Sequence, residues 1–308
     1  MFDRETNNAI YDLLGANLVE QRRARRWKIF FRFVGLIILL MVLYPIFFSK
    51  KSVVNMPEHI GVIEIEGVIS AKGKTSYNEV SKALKKMYKQ ESLKGVILDI
   101  NSQGGLPAQA SLIYDEIRRY KEVYPEIPVY AAITDVGASA AYYIAAAADE
   151  IVAAPSSIVG SIGVVSFGFG VQEAMKMLGV ESRTQHAGEH KVLGSPFDPL
   201  TDKDKAIRQE MLDTVHMQFI EAVKQGRGDR LSDNPDLFSG LYWTGEQALD
   251  LGLVDSLSSR DAIVRDVFNL DEMVYYNRKR DFMDSFVEAL PDQSAALMSM
   301  LNPTIQMF

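Results

Sequence analysis

Residues 129–165 read VYAAITDVGASAAYYIAAAADEIVAAPSSIVGSIGVV. Residues 129–133 are a short apolar run, as in a buried strand. Residues 135–138 interrupt it with a glycine and predict a sharp turn. From Ser139 onward almost every residue is Ala or Tyr, a composition that favours a helix and lets other backbones approach closely. A second strand and a Gly-Ser-Ile-Gly turn close the stretch. The order is strand, turn, small-residue helix, strand. Ser139 falls at the start of that helix, beside backbone N–H groups and the positive end of the helix dipole. A serine there is either an N-cap or a nucleophile held outward.

Working toward the N-terminus, residues 60–69, IGVIEIEGVI, alternate like a strand and turn at Gly67. Residues 76–90 have helical spacing through Val80, Leu84, Met87 and Tyr88. Residues 95–100, GVILDI, form the continuous apolar run of a buried parallel strand. Asn101-Ser-Gln-Gly-Gly comes next, and residues 106–121 then read as a helix. The alternation of strands and helices over residues 60–165 predicts an α/β fold built from β-β-α or β-α-β units. Gly104 and Gly105 stand where a strand passes into a helix. Without a Cβ they let a substrate carbonyl come close, and loop amides there are natural oxyanion donors. The plain alternative is a turn.

Toward the C-terminus, residues 171–178 predict a helix ending at Gly179, and residues 180–186 a strand. Lys191 lies in the loop AGEHKVLGSP, residues 187–196. Composition alone makes it a solvated surface charge. Residues 202–225 predict a long helix with Asp202 and Asp204 in its first turn. Thr244 and Gly252 suit a helix N-cap and C-cap. Residues 260–268 read as helical and residues 274–276 as an edge strand. Residues 281–290 and 294–301 look amphipathic, for packing or subunit contact.

The chain has 308 residues, 47% of them hydrophobic, and a net charge of −7. This acidity argues against a nucleic-acid partner. With no cysteine, disulfides, thiolate metal sites and a cysteine nucleophile are excluded. His59, His186, His190 and His216 have no metal-ligand spacing, and neither a metal nor a cofactor is expected. Residues 1–28 read as a cytosolic tail ending in the basic cluster Arg22, Arg23, Arg25, Arg26 and Lys28. Residues 29–48 are apolar apart from Arg32, and long enough to cross a ~30 Å hydrocarbon core. The positive-inside rule puts the N-terminus in the cytosol and the rest of the chain outside, in the periplasm if the cell has two membranes. A linker at 49–59, a main domain at 60–270 and a helical extension at 271–308 complete the expected layout.

The segment GASAAYYIAAAADEIVAAPSSIVGSIGV resembles the nucleophile region of the signal peptide peptidase A and SohB-like family of membrane-bound serine proteases. The matching residues are Ala138, Ser139, Tyr142, Tyr143, Ile144, Ala145, Ala148, Asp149, Ile151, Ala154, Pro155 and residues 160–164. Ala140 and Ala141 replace two glycines of the family pattern, and their methyls are expected to narrow the site. Residues 101–105 resemble the family's N-S-P-G-G motif, with Gln103 in place of proline. That motif is shared with Clp-type proteases and crotonases. Residues 188–196 resemble G-x-x-K-x-x-G-S-P, and residues 237–257 a further signature in which Leu241 replaces a basic residue.

The resemblance covers roughly residues 58–270. It implies a Clp/crotonase-like fold of repeated β-β-α units, preceded here by one transmembrane helix. It implies a serine endopeptidase with Ser139 as nucleophile and Lys191 as general base. Gly104, Gly105 and Ala140 become the oxyanion donors. Ser161 either orients Lys191 or is a plain turn serine. A lysine works as a base only when neutral, so its pKa must fall from ~10.4 toward 7–8, as burial brings about. Since the chain carries one repeat, the resemblance implies a homo-oligomeric ring in which Ser139 of one subunit meets Lys191 of the next. Hydrophobic peptides such as released signal peptides are the implied substrates. The alternatives are a crotonase-type acyl-CoA enzyme and a catalytically impaired scaffold of the same fold.

Overall fold

The computed structural model describes residues 21–23, 25–40 and 56–278. The chain divides into two units, one of them Met56–Lys279. Residues 25–40, in the other unit, are helical and exposed, with Val34 half-buried. Among the described residues, no helix is long and apolar enough to cross a membrane. The expected span of 29–48 runs past them, because residues 41–48 lie outside the described set.

The sheet unit contains strands β1 (His59–Ile69), β2 (Leu93–Gly105), β3 (Val129–Ala138), β4 (Glu150–Ala153), β5 (Ile158–Gly160), β6 (Tyr242–Thr244), β7 (Ser256–Leu257) and β8 (Met273–Tyr275). Its longer helices are α1 (Tyr77–Met87), α2 (Pro107–Val123), α3 (Ala140–Ala145), α4 (Gln172–Met177), α5 (Asp202–Arg227) and α6 (Gly245–Asp250), and short helical turns lie at Gly228–Arg230, Arg260–Ala262 and Ile263–Val267. The strand order is β6-β5-β3-β2-β1-β8, with β4 beside β3 and β7 beside β4. The pairs are parallel except β5 with β6. Successive side chains of a strand point to opposite faces. Ile63, Ile65, Leu98, Ile100, Ala131 and Ile133 therefore pack on the face that carries α1, α2 and α3. Ile60, Val62, Ile97, Ala132 and Val152 pack on the other, under Ile263, Val264 and Phe268.

The long strands do not run straight through. The register of β1 against β2 shifts between Glu66 and Val68, and that of β2 against β3 between Ile100 and Ser102. The first part of β3 pairs with β4 and its last part with β5. Such breaks bend a strand and sharpen its twist. In chain order β1, β2 and β3 are each followed by a helix, α1, α2 and α3.

Several expectations are corrected. Residues 135–138 continue β3, because β5 supplies a ladder partner for residues 136–138. Residues 104 and 105 end β2 beside β1, in place of the expected loop. Residues 180–186 form no strand; they are exposed, with no strand paired to them among the described residues. The edge strand expected at 274–276 is present as residues 273–275, paired with β1 at the end of the sheet. Residues 279–308, with the two amphipathic segments, lie outside the described set.

One buried ion pair ties α5 to the sheet. Arg227 is 2% exposed, and its guanidinium donates to both carboxylate oxygens of Asp255, at 2.7 and 2.9 Å. Asp255 also accepts the N–H of Ile151 at 2.7 Å. Burial acts to raise the Asp255 pKa, but the Arg227 and Ile151 bonds outweigh it and hold the carboxyl below the usual carboxylate range. A depressed pKa contributes stability above the unfolded value of ~3.9, and that stability is lost as pH falls through the folded value. Asp255→Asn leaves Arg227 buried without its counter-charge, and is expected to cost about 3–5 kcal/mol at pH 7. The gap to wild type should narrow below about pH 4. Urea unfolding at pH 7 and pH 3 checks this; an equal gap at both would remove the electrostatic account.

Candidate active site

Ser139 joins β3 to α3 with φ 54 and ψ −127. A positive φ is uncommon for a residue with a side chain, and such a conformation costs about 1–3 kcal/mol. The surroundings hold it. The Ser139 N–H donates to the Gly160 carbonyl at 2.8 Å, and its carbonyl accepts from the Tyr143 N–H at 3.0 Å. Behind it α3 is wholly buried. The Tyr142 hydroxyl donates to the Leu253 carbonyl at 2.7 Å, and the Tyr143 ring stacks on Phe219 at 4.9 Å. The Ser139 side chain caps no helix N–H. The N-cap alternative therefore fails, and the half-buried side chain is left available for chemistry.

Gly104, at φ 106, lies against this junction. A Cβ added there would stand 2.8 Å from the Ser139 Cβ and 3.0 Å from the Ala140 nitrogen. Its N–H, however, donates to the Ser102 hydroxyl at 3.1 Å. That hydroxyl in turn donates to the Gly67 carbonyl at 2.5 Å. Gly105 is pressed against β1, where an added Cβ would fall 2.1 Å from the Ile69 carbonyl oxygen. Leu106 donates to that same carbonyl at 2.9 Å. By the alternation of a parallel ladder, the Gly105 N–H then turns away from β1, to the β3 side. The Ala140 N–H has no acceptor among the described residues. Of the three expected oxyanion donors, Gly104 is already committed to Ser102.

Ala140 and Ala141 are 4% and 0% exposed, and both belong to the main core cluster. Their methyls fill the core, correcting the expectation that they narrow the site. Ser161 follows Gly160, whose carbonyl holds Ser139, and has φ 52. It donates its N–H to the Leu241 carbonyl at 2.7 Å. Lys191 is exposed, in the arm between β5 and α5. Its N–H donates to Gly188 at 3.1 Å, and no hydrogen bond joins its side chain to Ser139 or Ser161 among the described residues. Beside it, Glu189 pairs with Lys203 of α5 at 2.6 Å. The structure brings Ser139, Gly104, Gly105, Ala140 and Ser161 together and leaves Lys191 apart. Sequence reading passed over Ser102, although it shares strand parity with the buried Ile100.

Residues 121–273 match peptidase family S49. The chain is 43% identical over 218 residues to a Brucella abortus protein described as the Na(+)/H(+) antiporter NhaA, across 68% of this chain and 29% of that protein. It is 31% identical over 218 residues to a putative signal peptide peptidase SppA of Enterococcus faecium, across 70% of this chain and 62% of that protein. It is 30% identical over 202 residues to the putative protease slr0021 of Synechocystis, across 66% of this chain and 70% of that protein. The chain thus spans less than two thirds of the first two relatives.

Gly104→Ala combines a positive φ with a collision at Ser139, so a loss of about 2–4 kcal/mol is expected. Gly67→Ala also meets a positive φ, but nothing lies within 4 Å of its added Cβ, so about 1–2 kcal/mol is expected. Thermal melting of both variants checks the difference; equal losses would mean that Gly104 is not needed for close approach.

Proposed function

This chain belongs to peptidase family S49, and we propose that it is a serine endopeptidase in which Ser139 is the nucleophile and Lys191 of a neighbouring copy is the general base. The observation that carries this reading is the left-handed, uncapped Ser139 pressed against Gly104. Backbone strain of this kind, over-determined by its surroundings, is a common mark of a functional residue.

In the proposed mechanism the neutral lysine amine takes the proton from the Ser139 hydroxyl as Oγ bonds to the peptide carbonyl carbon. The carbonyl oxygen becomes negative and is met by the N–H groups of Ala140 and Gly105. The C–N bond then breaks, and the leaving amine takes a proton from the lysine. Water then gives a proton to the same lysine as its oxygen bonds to the acyl carbon, and the Oγ–carbon bond breaks as the lysine returns that proton to Ser139 Oγ.

The base must be neutral, which requires a water-poor setting, yet Lys191 is exposed in the single chain. A second copy lying over the arm would supply that cover. Phe167 at 90% exposure and Met177 at 83% give the arm apolar surface to bury. A ring of such copies, anchored by residues 29–48 with the sheet unit outside the cytosol, completes the proposal. The broken-strand units fit a Clp/crotonase-like fold. Unfolded apolar peptides, released signal peptides among them, are the proposed substrates.

The test is cleavage of an unfolded apolar peptide by the full chain in detergent, read by mass spectrometry. Ser139→Ala and Lys191→Ala are each expected to lose about 10³-fold or more. Mixing the two inactive variants during assembly should restore activity at about a quarter of the interfaces, since a head-to-tail contact pairs the intact serine of one variant with the intact lysine of the other. Activity in Ser139→Ala would sink the mechanism; failure of the mixture would sink the shared site.

A further inference from the structure

Two consecutive glycines have little conformational preference of their own. Gly104 and Gly105 nevertheless sit at φ 106 and φ 158, and something outside them must select that geometry. Ser102 is placed to do so. It is 1% exposed and lies just after the register break of β2, paired with Gly137 of β3. Its hydroxyl donates to the Gly67 carbonyl at 2.5 Å and accepts the Gly104 N–H at 3.1 Å. One hydroxyl thus joins the break in β1 to the end of β2.

The geometry points to Ser102 as a positioning residue for the oxyanion-binding amide of Gly105. By fixing the Gly104 N–H it sets the next peptide plane, which carries the Gly105 N–H. It also keeps the Gly104 Cα against Ser139. Ser102 touches neither substrate nor reacting atoms and acts through Gly104. This inference rests on the reading of Ser139 as nucleophile.

The test compares the full chain with Ser102→Ala, Ser102→Thr and Ser139→Ala. Three quantities are measured: kcat and KM on an unfolded apolar peptide, the melting midpoint, and amide deuterium exchange over residues 101–106. Ser102→Ala is expected to lower kcat by about 10²-fold, as for a displaced oxyanion donor. KM should stay within about twofold, because the lost interaction belongs to the transition state. Exchange over residues 101–106 should rise while α3 stays protected, and Ser102→Thr should recover much of kcat.

Unchanged kcat in Ser102→Ala overturns the proposal. So does unchanged exchange at residues 101–106, a readout that needs no catalysis and holds even if threonine does not fit. A loss of activity that tracks global unfolding reduces Ser102 to a structural residue. Full activity in Ser139→Ala overturns the proposal on separate ground, by removing the nucleophile itself.

Discussion

The left-handed backbone of Ser139 is the constraint on which the site depends. A side-chain-bearing residue adopts φ 54 only when the alternatives cost more. Here its N–H is held by Gly160 and its carbonyl by Tyr143, so relaxing the junction would break the meeting of β3, β5 and α3 at once. The helix behind it is sealed in the core. Burying one large apolar side chain contributes about 1.5–3 kcal/mol, so Ile144 alone offsets strain of about 1–3 kcal/mol. The sheet and the helix together hold the serine in a conformation it would not choose.

The two halves of the proposed site are built differently. The serine half is made by the core, from strand ends and a buried helix. The lysine half is an exposed arm held by surface contacts, among them Lys203 with Glu189 and Arg208 with Ser166. Exposed ion pairs contribute about 0–1 kcal/mol each. The arm therefore has little of its own to fix Lys191 in place, which is why the proposed mechanism assigns that task to a second copy.

Apolar periodicity located β1, β2 and β3, and the spacing of Val80, Leu84 and Met87 located α1. Both signals are local and survive folding unchanged. The errors came where a remote partner decides the outcome. Residues 135–138 look like a turn because Asp135 and Gly137 are poor strand formers, yet β5 is there to pair with residues 136–138. Residues 180–186 look like a strand and find no edge to join among the described residues. Ser139, Gly105 and Ala140 were legible as a candidate site through the motif pattern. The commitment of the Gly104 amide was not, because it depends on the Ser102 hydroxyl reaching across to β1.

The replacement of two motif glycines by alanine obeys the same physics. At Ala140 the proposed chemistry uses only the N–H, and the methyl is directed into the core. Gln103 is exposed, so the proline of the family pattern is not required to fill space there. Gly104 differs, since any Cβ would meet Ser139. What this site constrains is backbone geometry and close approach. A residue type is restricted only where its side chain would enter the space that the Ser139 junction already occupies.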